Sequence, residues 1–419
     1  MTGIRSVRAR RRALAWAAGV LAAVLAGCTV APPVPTSTSP ASGASGSAPA
    51  TTPATASPPS PSATPTPTPT ATPTDGQVCL AEAEAMSLAE QAGQLVMVGV
   101  SGDLDATERK AITKYHLGAV ILMGTSQRGV AKTATLTSRL QKLDVPAGVL
   151  IGVDQEGGLV QRLKGQGFDT ILSAAKQAKL DRDELLAKAT RWGGQLAKAG
   201  VQLNLAPVAD VVPKANLKTN EPIAKLGRGY GTDPEAVAAK VETFIAGMHA
   251  GGVGTAVKHF PGLGAVKGNT DFATRVVDST TTADSPLLGP FRGAVQASSP
   301  TDAVMVSSAV YTKIDGKHQA MFSPAVIGIL RDWGFDKVVI SDDLGAAKAL
   351  SAVPAKQRAV RFVAAGGDLA VTVDTALAGP MATGLVERAR SDAGFARQLT
   401  AAAARVLALK QSYGLISCR

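Results

Sequence analysis

The sequence predicts an α/β fold, a (β/α)8 TIM-type barrel that forms a single domain after a disordered linker. Eight short segments, apolar throughout and rich in β-branched residues, alternate with longer stretches whose apolar residues recur at helical spacing. Strands of this kind, separated by helices, are typical of a parallel sheet covered on both faces. Eight of them favour a closed barrel, with a doubly wound open sheet as the alternative. The segments are residues 95–100, 119–124, 148–154, 203–210, 255–260, 303–308, 338–343 and 369–374.

Polar or ionisable residues stand at the ends of most of these segments. In a barrel the carboxyl ends of the strands converge on one mouth, whereas in an open sheet they lie along an edge. Convergence would explain why so many strands end in this way. We expect Asp343 and Asp374 to cap the following helices or to face solvent. The residues are Asp154, Asp210, Lys258 with His259, Ser307 with Ser308, Asp342 with Asp343, and Asp374.

Residues 1–27 are predicted to be a signal peptide of the lipoprotein type. Five arginines precede an apolar run of secretory length, which is too short for a membrane span and ends in Leu-Ala-Gly-Cys. This ending resembles a bacterial lipobox, in which the cysteine is lipidated. We therefore expect Cys28 to anchor the protein in the cell envelope, at the outer face of the cell membrane. The alternative is an ordinary signal peptide with an incidental cysteine.

Residues 28–76 are predicted to be a linker rich in Pro, Ser, Thr and Ala. Residues 29–74 contain no charged side chain and hold 13 of the chain's 25 prolines. Such a segment cannot bury enough apolar surface to offset the entropy of ordering it. Pro-rich chain favours an extended spacer of about 3.1 Å per residue, which would let an anchored domain reach into a cell wall. The alternative is a disordered tail without a spacing role.

Residues 77–419 are predicted to form the barrel domain, and their number is ample for a large core. The formal net charge of +11 falls to +6 when the five arginines of residues 1–27 are removed. That surplus suits an anionic envelope. No run of Lys and Arg with interleaved aromatic residues occurs, so nucleic acid is not expected as a partner. We expect the domain to be a monomer.

Two cysteines lie near the two ends of the barrel domain. With Cys28 assigned to lipidation, Cys79 and Cys418 remain. In an oxidising compartment two such cysteines are expected to pair, which would tie the first turn of the domain to its last. Two free thiols are the alternative.

No cofactor and no metal ion are expected from the sequence. The chain has four histidines, and no two of them have the spacing of metal ligands. The sequence also lacks the glycine-rich phosphate-binding motif of nucleotide sites and any Cys-x-x-Cys pair.

Five motifs resemble, in order and spacing, those of glycoside hydrolase family 3. The likeness covers essentially all of residues 80–419 and is greatest to single-domain bacterial β-N-acetylglucosaminidases of cell-wall recycling. It implies a carbohydrate substrate and a retaining exo-glycosidase that releases terminal β-linked N-acetylglucosamine from peptidoglycan fragments through a covalent glycosyl-Asp intermediate. Only about 45 residues follow the eighth strand, so the second sheet domain of multi-domain β-glucosidases is not expected. The motifs are MSLAEQAGQL, GVDQEGGLVQRL, LAPVADV, KHFPGLG and VVISDDLGA.

The resemblance assigns the catalytic nucleophile to Asp342, which follows the Ser of the family's [ST]-D-x-[LM] motif. A retaining glycosidase needs a carboxylate nucleophile and a proton donor about 5 to 5.5 Å apart. Asp343 is the rival, but neighbours on a strand point to opposite sides and only one can face the sugar.

The resemblance also implies a set of side chains that hold the sugar hydroxyls. A carboxylate accepts hydroxyl protons, while Lys and Arg donate to hydroxyl oxygens. Asp210 joins this substrate-binding set as the member that orients the others or the mouth of the pocket. The remaining members are Asp154, Arg162, Arg228, Lys258 and His259.

The proton donor is the point at which the sequence departs from its family. In the N-acetylglucosaminidase branch the loop after KHFPGxG carries Asp-Ser-His, and the histidine is the general acid/base. That triplet falls here on Asn269, Thr270 and Asp271. Three alternatives follow. Asp271 replaces the histidine as acid/base, another loop group supplies the proton, or hydrolysis is impaired and the protein binds glycans.

Other functions are compatible with the same residues. A β-glucosidase or β-xylosidase specificity is the nearest alternative, although the compact form of the domain argues against it. A Schiff-base lyase is a second, because Lys258 ends a barrel strand where such lysines can lie. A non-catalytic, wall-binding lipoprotein is a third.

Overall fold

The computed structural model describes residues 78–418, so the predicted signal peptide, Cys28 and the linker lie outside the described residues. Strands and helices alternate along this part of the chain. The strands are β1 (Val96–Val100), β2 (Ala119–Leu122), β3 (Leu150–Val153), β4 (Gln155–Gly157), β5 (Val160–Gln161), β6 (Leu203–Asn204), β7 (Gly254–Phe260), β8 (Val277–Asp278), β9 (Ala303–Val306), β10 (Val310–Tyr311), β11 (Asp315–Gln319), β12 (Val338–Ser341) and β13 (Ala370–Thr372).

The helices surround these strands. They are α1 (Leu80–Ala85), α2 (Leu88–Gln94), α3 (Ala106–Lys114), α4 (Gly129–Gln141), α5 (Ala174–Gln177), α6 (Arg182–Lys198), α7 (Pro234–Ala250), α8 (Gly289–Gln296), α9 (Pro324–Asp332), α10 (Ala355–Ala364), α11 (Thr375–Ser391) and α12 (Ala393–Ser412).

Eight parallel strands form the barrel, which confirms the predicted (β/α)8 fold and excludes the open sheet. Hydrogen-bonded neighbours run in the order β12, β9, β7, β6, β3, β2, β1, β13, so successive barrel strands of the chain lie side by side. The first barrel strand, β1, pairs with both β2 and β13. A bridge between Ile340 and Leu369 joins β12 to the segment that enters β13 and completes the ring. Seven of the eight predicted segments contain one of these strands, and the segment 255–260 covers all of β7 except its first residue, Gly254.

Alternate side chains of the barrel strands point to two separate cores. Met97 and Ile121 belong to the core inside the barrel, whereas Val96, Val98 and Val120 pack outward against the helices. This alternation is the two-residue period of a strand. Because both faces are covered, every residue of these short strands is buried, which explains why the segments are apolar throughout.

Polar residues between strand and helix begin many of the helices. Asp105 and Glu108 form a capping box on α3, and Asp233 with Pro234 begins α7. Asp374 accepts a hydrogen bond from the backbone N–H of Ala376 and caps α11. Asp374 is therefore a helix cap, as the sequence predicts.

The C-terminal helix α12 closes the end of the barrel at which the strands begin. Its Val406 and Leu409 pack against the interior core. The ammonium group of the buried Lys410 donates to Gln94 and to the carbonyl of Gly148, which precede β1 and β3. Burial lowers the pKa of Lys410 to about 7. Side chains of α12 therefore fill the barrel interior at this end.

A disulfide joins Cys79 to Cys418, with their Cα atoms 5.2 Å apart. It connects the residue before α1 to the segment after α12, and it encloses the whole barrel domain. No helix of residues 78–418 is both long and apolar enough to cross a membrane.

We expect reduction of this disulfide to lower the free energy of unfolding. Closing a loop of 339 residues in the unfolded chain contributes about 6 kcal/mol in the chain-entropy model, and removal of a native disulfide usually costs about 2 to 5 kcal/mol. Cys79→Ser/Cys418→Ser should therefore unfold at a lower denaturant concentration while keeping the barrel's circular dichroism. Intact mass of the wild-type domain should differ by two hydrogens before and after reduction. Two thiols that alkylate without reductant would contradict the pairing.

Candidate active site

A cavity of about 610 Å³ lies at the end of the barrel where the strands finish. Its floor is formed by barrel-interior side chains such as Ile121, Leu205 and Met305. Ionisable side chains from loops after several strands form its wall, which fits the position of active sites in this fold. The ionisable lining residues are Asp154, Glu156, Arg162, Arg228, Lys258, His259, Asp271, Asp342 and Asp343.

Lys258 and His259 are adjacent in β7, and both line this cavity. In a regular strand their side chains would point to opposite sides. The pairing of β7 with β9 shifts its register between Val257 and Phe260, and the peptide between Lys258 and His259 is cis. The irregular strand end presents both side chains to the same cavity.

Lys258 lies between two carboxylates. Its Nζ donates to Asp154 Oδ1 at 2.5 Å and lies 2.7 Å from Glu156 Oε1. Burial acts to lower the pKa of Lys258, but the charges of Asp154 and Glu156 outweigh it and raise the pKa. A Schiff-base lysine must be neutral to attack a carbonyl, so this environment does not favour the lyase alternative.

Glu156 is the buried centre of the cluster, and the sequence reasoning missed it as a functional residue. Arg228 donates to both of its oxygens, from Nε at 2.9 Å and from Nη2 at 2.8 Å. Burial acts to raise the pKa of Glu156, yet the positive charges of Arg228 and Lys258 hold it far below its ordinary value. Glu156 therefore holds the side chains of Arg228 and Lys258 in position. The sequence feature that could have identified Glu156 is its position two residues after Asp154, in the hairpin that follows β3.

Asp210 lies behind the cavity wall and positions His259. Its Oδ1 accepts from the backbone N–H groups of His259 and Leu263, at 3.1 and 2.8 Å, and its Oδ2 lies 2.7 Å from His259 Nδ1. The carboxylate is completely buried and is not part of the cavity lining. Asp210 therefore does not reach a ligand directly, because its oxygens are occupied by protein donors, and it orients His259, which is the role that the sequence analysis gives it.

The hydrogen bonds of His259 define its tautomer. Arg228 Nη2 lies 3.2 Å from His259 Nε2. A guanidinium group only donates, so Nε2 accepts and Nδ1 carries the proton that is donated to Asp210. His259 is therefore a fixed wall residue and not a mobile acid.

Arg162 reaches the cavity from the segment after β5. The side chain of Gln155 accepts from the backbone N–H groups of Arg162 and Leu163, at 2.9 and 3.0 Å, and holds this segment in place. The Nε of Arg162 is buried and has no hydrogen-bond partner within residues 78–418. An unpaired guanidinium donor at a cavity wall is available to a ligand.

Asp342 and Asp343 both line the cavity but differ in what they bind. Asp343 accepts from three backbone N–H groups, those of Gly345 and Val373 through Oδ1 and that of Ala346 through Oδ2. Asp342 accepts only from the backbone N–H of Asp343, at 2.9 Å. Asp343 therefore shapes the turn after β12, and Asp342 keeps a carboxylate oxygen for a ligand.

Burial raises the pKa of Asp342, and although the neighbouring His259 opposes this rise, the charge of Asp271 adds to it. Asp271 lies in the loop after β7, with its side chain exposed at the cavity. Asn220 donates to the carbonyls of Leu263 and Val266, at 2.7 and 2.9 Å, and holds the first part of this loop. The ring of Phe272, 76% exposed, lies beside Asp271 at the mouth.

Four of the predicted strand-end residues do not line this cavity, and Asp210 is one of them. Asp374 caps α11, as described above. Ser307 is buried, with its Oγ 3.0 Å from the hydroxyl of Tyr311, and Ser308 lines a different cavity. The convergence of strand ends is therefore real but incomplete, because some of these side chains are used in contacts within the protein or line a different cavity. The described residues also contain no cluster of three or more His, Cys, Asp or Glu arranged to hold a metal ion.

The sequence of this chain is similar to those of known glycoside hydrolases. Residues 87–409 match the family described as the glycosyl hydrolase family 3 N-terminal domain. A β-hexosaminidase of Chromobacterium violaceum is 32% identical over 324 residues, which are 72% of this chain and 87% of that protein.

Solved structures agree with this match. A β-N-acetylhexosaminidase from Beutenbergia cavernae is 40% identical, with a TM-score of 0.75 over 78% of this chain and 99% of that one. A family 3 β-N-acetylglucosaminidase from a Paenibacillus species is 29% identical, with a TM-score of 0.71 over 79% and 63% of the two chains. The chain belongs to glycoside hydrolase family 3 and is a glycoside hydrolase.

Proposed function

We propose that this protein is an exo-acting β-N-acetylhexosaminidase that releases terminal β-linked N-acetylglucosamine from peptidoglycan fragments with retention of configuration. The observation that carries the proposal is the carboxylate of Asp342, which keeps one oxygen for a ligand at the wall of the cavity. In the same cavity Glu156 holds Arg228 and Lys258 in place, and Asp210 holds His259. Relatives named as β-hexosaminidases support the choice of sugar.

The fixed ion pairs supply a binding surface for the ring hydroxyls. Lys258 and Arg228 are held by Glu156, so they present their remaining N–H groups without further ordering. Asp154 accepts hydroxyl protons with the oxygen that Lys258 does not occupy, and the unpaired Nε of Arg162 donates. Prior fixation of these groups lowers the entropic cost of holding the sugar in a reactive position.

In the proposed mechanism Asp342 attacks the anomeric carbon and forms a glycosyl ester. Asp271 gives its proton to the leaving oxygen and then takes a proton from the water that hydrolyses the ester. Asp271 replaces the histidine of the family's acetylglucosaminidase branch, and its exposed place in a loop beside Asp342 is suited to proton exchange with solvent.

A panel of chromogenic β-glycosides tests the proposed specificity. We expect turnover of the aryl β-N-acetylglucosaminide to exceed that of the β-glucoside and the β-xyloside by a large factor. Proton NMR at early times should show the β-anomer of N-acetylglucosamine as the first product. Preferred cleavage of glucoside or xyloside would contradict the sugar assignment. Binding of N-acetylglucosamine oligosaccharides without any turnover would identify a glycan-binding protein instead.

We also propose that Cys28 carries a lipid that anchors the enzyme at the outer face of the cell membrane. The Leu-Ala-Gly-Cys sequence supports this, and the Pro-rich residues 29–74 would separate the barrel from the anchor. We expect Cys28→Ser to move the protein from the membrane fraction to the medium or periplasm. Cys418→Ser, which leaves the leader intact, is the control and should stay with the membranes. A Cys28→Ser protein that still fractionates with membranes would exclude the anchor.

A further inference from the structure

A second cavity, of about 570 Å³, lies beside the active-site cavity. It is lined by the segment Thr274–Val276, the β10–β11 hairpin, the loop around Ala349 and helix α10. Nothing in the proposed mechanism uses it.

The lining of the second cavity is basic. Arg275, Lys317, His318 and Arg361 all contribute side chains, and none of its lining residues is acidic. No salt bridge is formed by Arg275, Lys317 or Arg361 within the part of the chain that the structure describes. By contrast, the active-site cavity is lined by five carboxylates. Three cations share the active-site lining with these carboxylates, whereas the second cavity has basic side chains and no acidic one. An anionic group is therefore better accommodated in the second cavity.

A buried polar group without a partner belongs to the wall of the same cavity. Ser308 lines the second cavity, is 1% exposed, and its Oγ has no hydrogen-bond partner within residues 78–418. Buried hydroxyls are nearly always hydrogen-bonded, and an unsatisfied one needs an explanation. A ligand that accepts a hydrogen bond from Ser308 would explain the unpaired hydroxyl.

The two cavities share a wall. The backbone N–H groups of Lys348 and Ala349 donate to the carbonyls of Asp271 and Thr270, both at 3.3 Å, and join the loop after β7 to the loop after β12. Asp271 faces the active-site cavity, while Ala349 and residues 274–276, a few positions along the same loops, face the second cavity. A group bound in the second cavity would thus lie next to the loop that carries the proposed proton donor.

We propose that the second cavity binds an oxyanion, a carboxylate or phosphate group, through Arg275, Arg361 and the hydroxyl of Ser308. Guanidinium groups match both oxyanions and bind them by charge-assisted hydrogen bonds. The group comes either from a free anion or from the acidic leaving sugar of a peptidoglycan fragment. The second source rests on the proposed function, whereas the first does not.

Titration with inorganic phosphate, followed by calorimetry, tests the site directly. We expect Arg275→Gln/Arg361→Gln to bind phosphate at least about tenfold more weakly than the wild type. Ser308→Ala should bind it several-fold more weakly without a lower melting temperature, since the hydroxyl has no partner to lose. Arg390→Gln is the matched control, because Arg390 is exposed on α11, outside both cavities. Equal affinity in all four proteins, or no binding to the wild type, would overturn the proposal.

Kinetics distinguish the two sources of the anion. If the acidic leaving sugar is the ligand, Arg275→Gln/Arg361→Gln should lower kcat/KM for a disaccharide of N-acetylglucosamine and muramic acid but not for a neutral aryl N-acetylglucosaminide. If a free anion is the ligand, the double substitution should change kcat/KM for both substrates by the same factor, and it should still lower the affinity for phosphate. The phosphate titration remains decisive even if no N-acetylglucosaminide is hydrolysed, so failure of the proposed function and failure of this site are separate results.

Discussion

Asp342→Asn should remove nearly all turnover, by at least about 10⁴-fold in kcat, because an amide cannot form the glycosyl ester. The fold should be unaffected, since the carboxylate accepts only the adjacent Asp343 N–H, through Oδ1, and an amide oxygen can accept that bond. A fluorosugar that traps the covalent intermediate should label a peptide containing Asp342. A label on any other residue would exclude Asp342 as the nucleophile.

Asp343→Asn is the control for this experiment. Asp343 uses Oδ1 for two backbone N–H groups and Oδ2 for one, so an amide in its place keeps the first two contacts and loses that to Ala346. We expect a lower melting temperature and most of the turnover. The two neighbouring substitutions should therefore separate catalysis from stability. Equal loss of activity in both would mean that only the shape of the turn has been tested.

The pH dependence of kcat/KM should report the environment of Asp342. The nucleophile must be ionised, and a raised pKa means that it becomes protonated at a higher pH than an ordinary aspartate, whose pKa is about 3.9. Activity should therefore fall on the acid side at a pH above that value.

Asp271→Ala should slow cleavage of a natural disaccharide by about 10² to 10⁴-fold, the usual contribution of a general acid. A sugar hydroxyl cannot leave without a proton, whereas an activated phenolate can. The formation of the glycosyl ester from an activated aryl glycoside should therefore be spared. Hydrolysis of that ester also needs a base, so the intermediate should accumulate in the variant.

Azide provides the matched test of the base. It attacks the glycosyl ester without losing a proton, so it should restore turnover of Asp271→Ala and yield a β-glycosyl azide. It should not restore Asp342→Asn, in which no ester forms. Equal slowing of good and poor leaving groups, with no effect of azide, would show that Asp271 only shapes its loop and that the proton comes from another group.

Replacing Asp271 by His would recreate the residue of the related enzymes without its partner. Asn269 stands where those enzymes have the aspartate that supports the histidine, and its Oδ1 already accepts from the backbone N–H of Asp271. We therefore expect Asp271→His to recover only part of the lost activity.

The sequence alone was sufficient for the barrel and for much of its mouth. Strand positions follow from local pattern, since a strand buried on both faces must be apolar throughout, and each of the eight apolar segments overlaps one barrel strand. Asp374 was recognisable as a cap because capping depends on residues within one turn. The preference for Asp342 over Asp343 also came from a short motif, and the backbone contacts of Asp343 agree with it.

Only the tertiary structure decided which charged groups face the ligand. Arg228 and Glu156 are 72 residues apart in the chain, and Lys258 and Asp154 are 104 apart, so no local pattern reports that they meet. The sequence placed Asp210 in the same set as Asp154, as its orienting member, and only the structure shows that Asp210 is completely buried and does not line the cavity. The second cavity likewise needs three separate loops and a helix. Periodicity and caps are set by neighbours along the chain, whereas the partner of a buried charge is set by closure of the barrel.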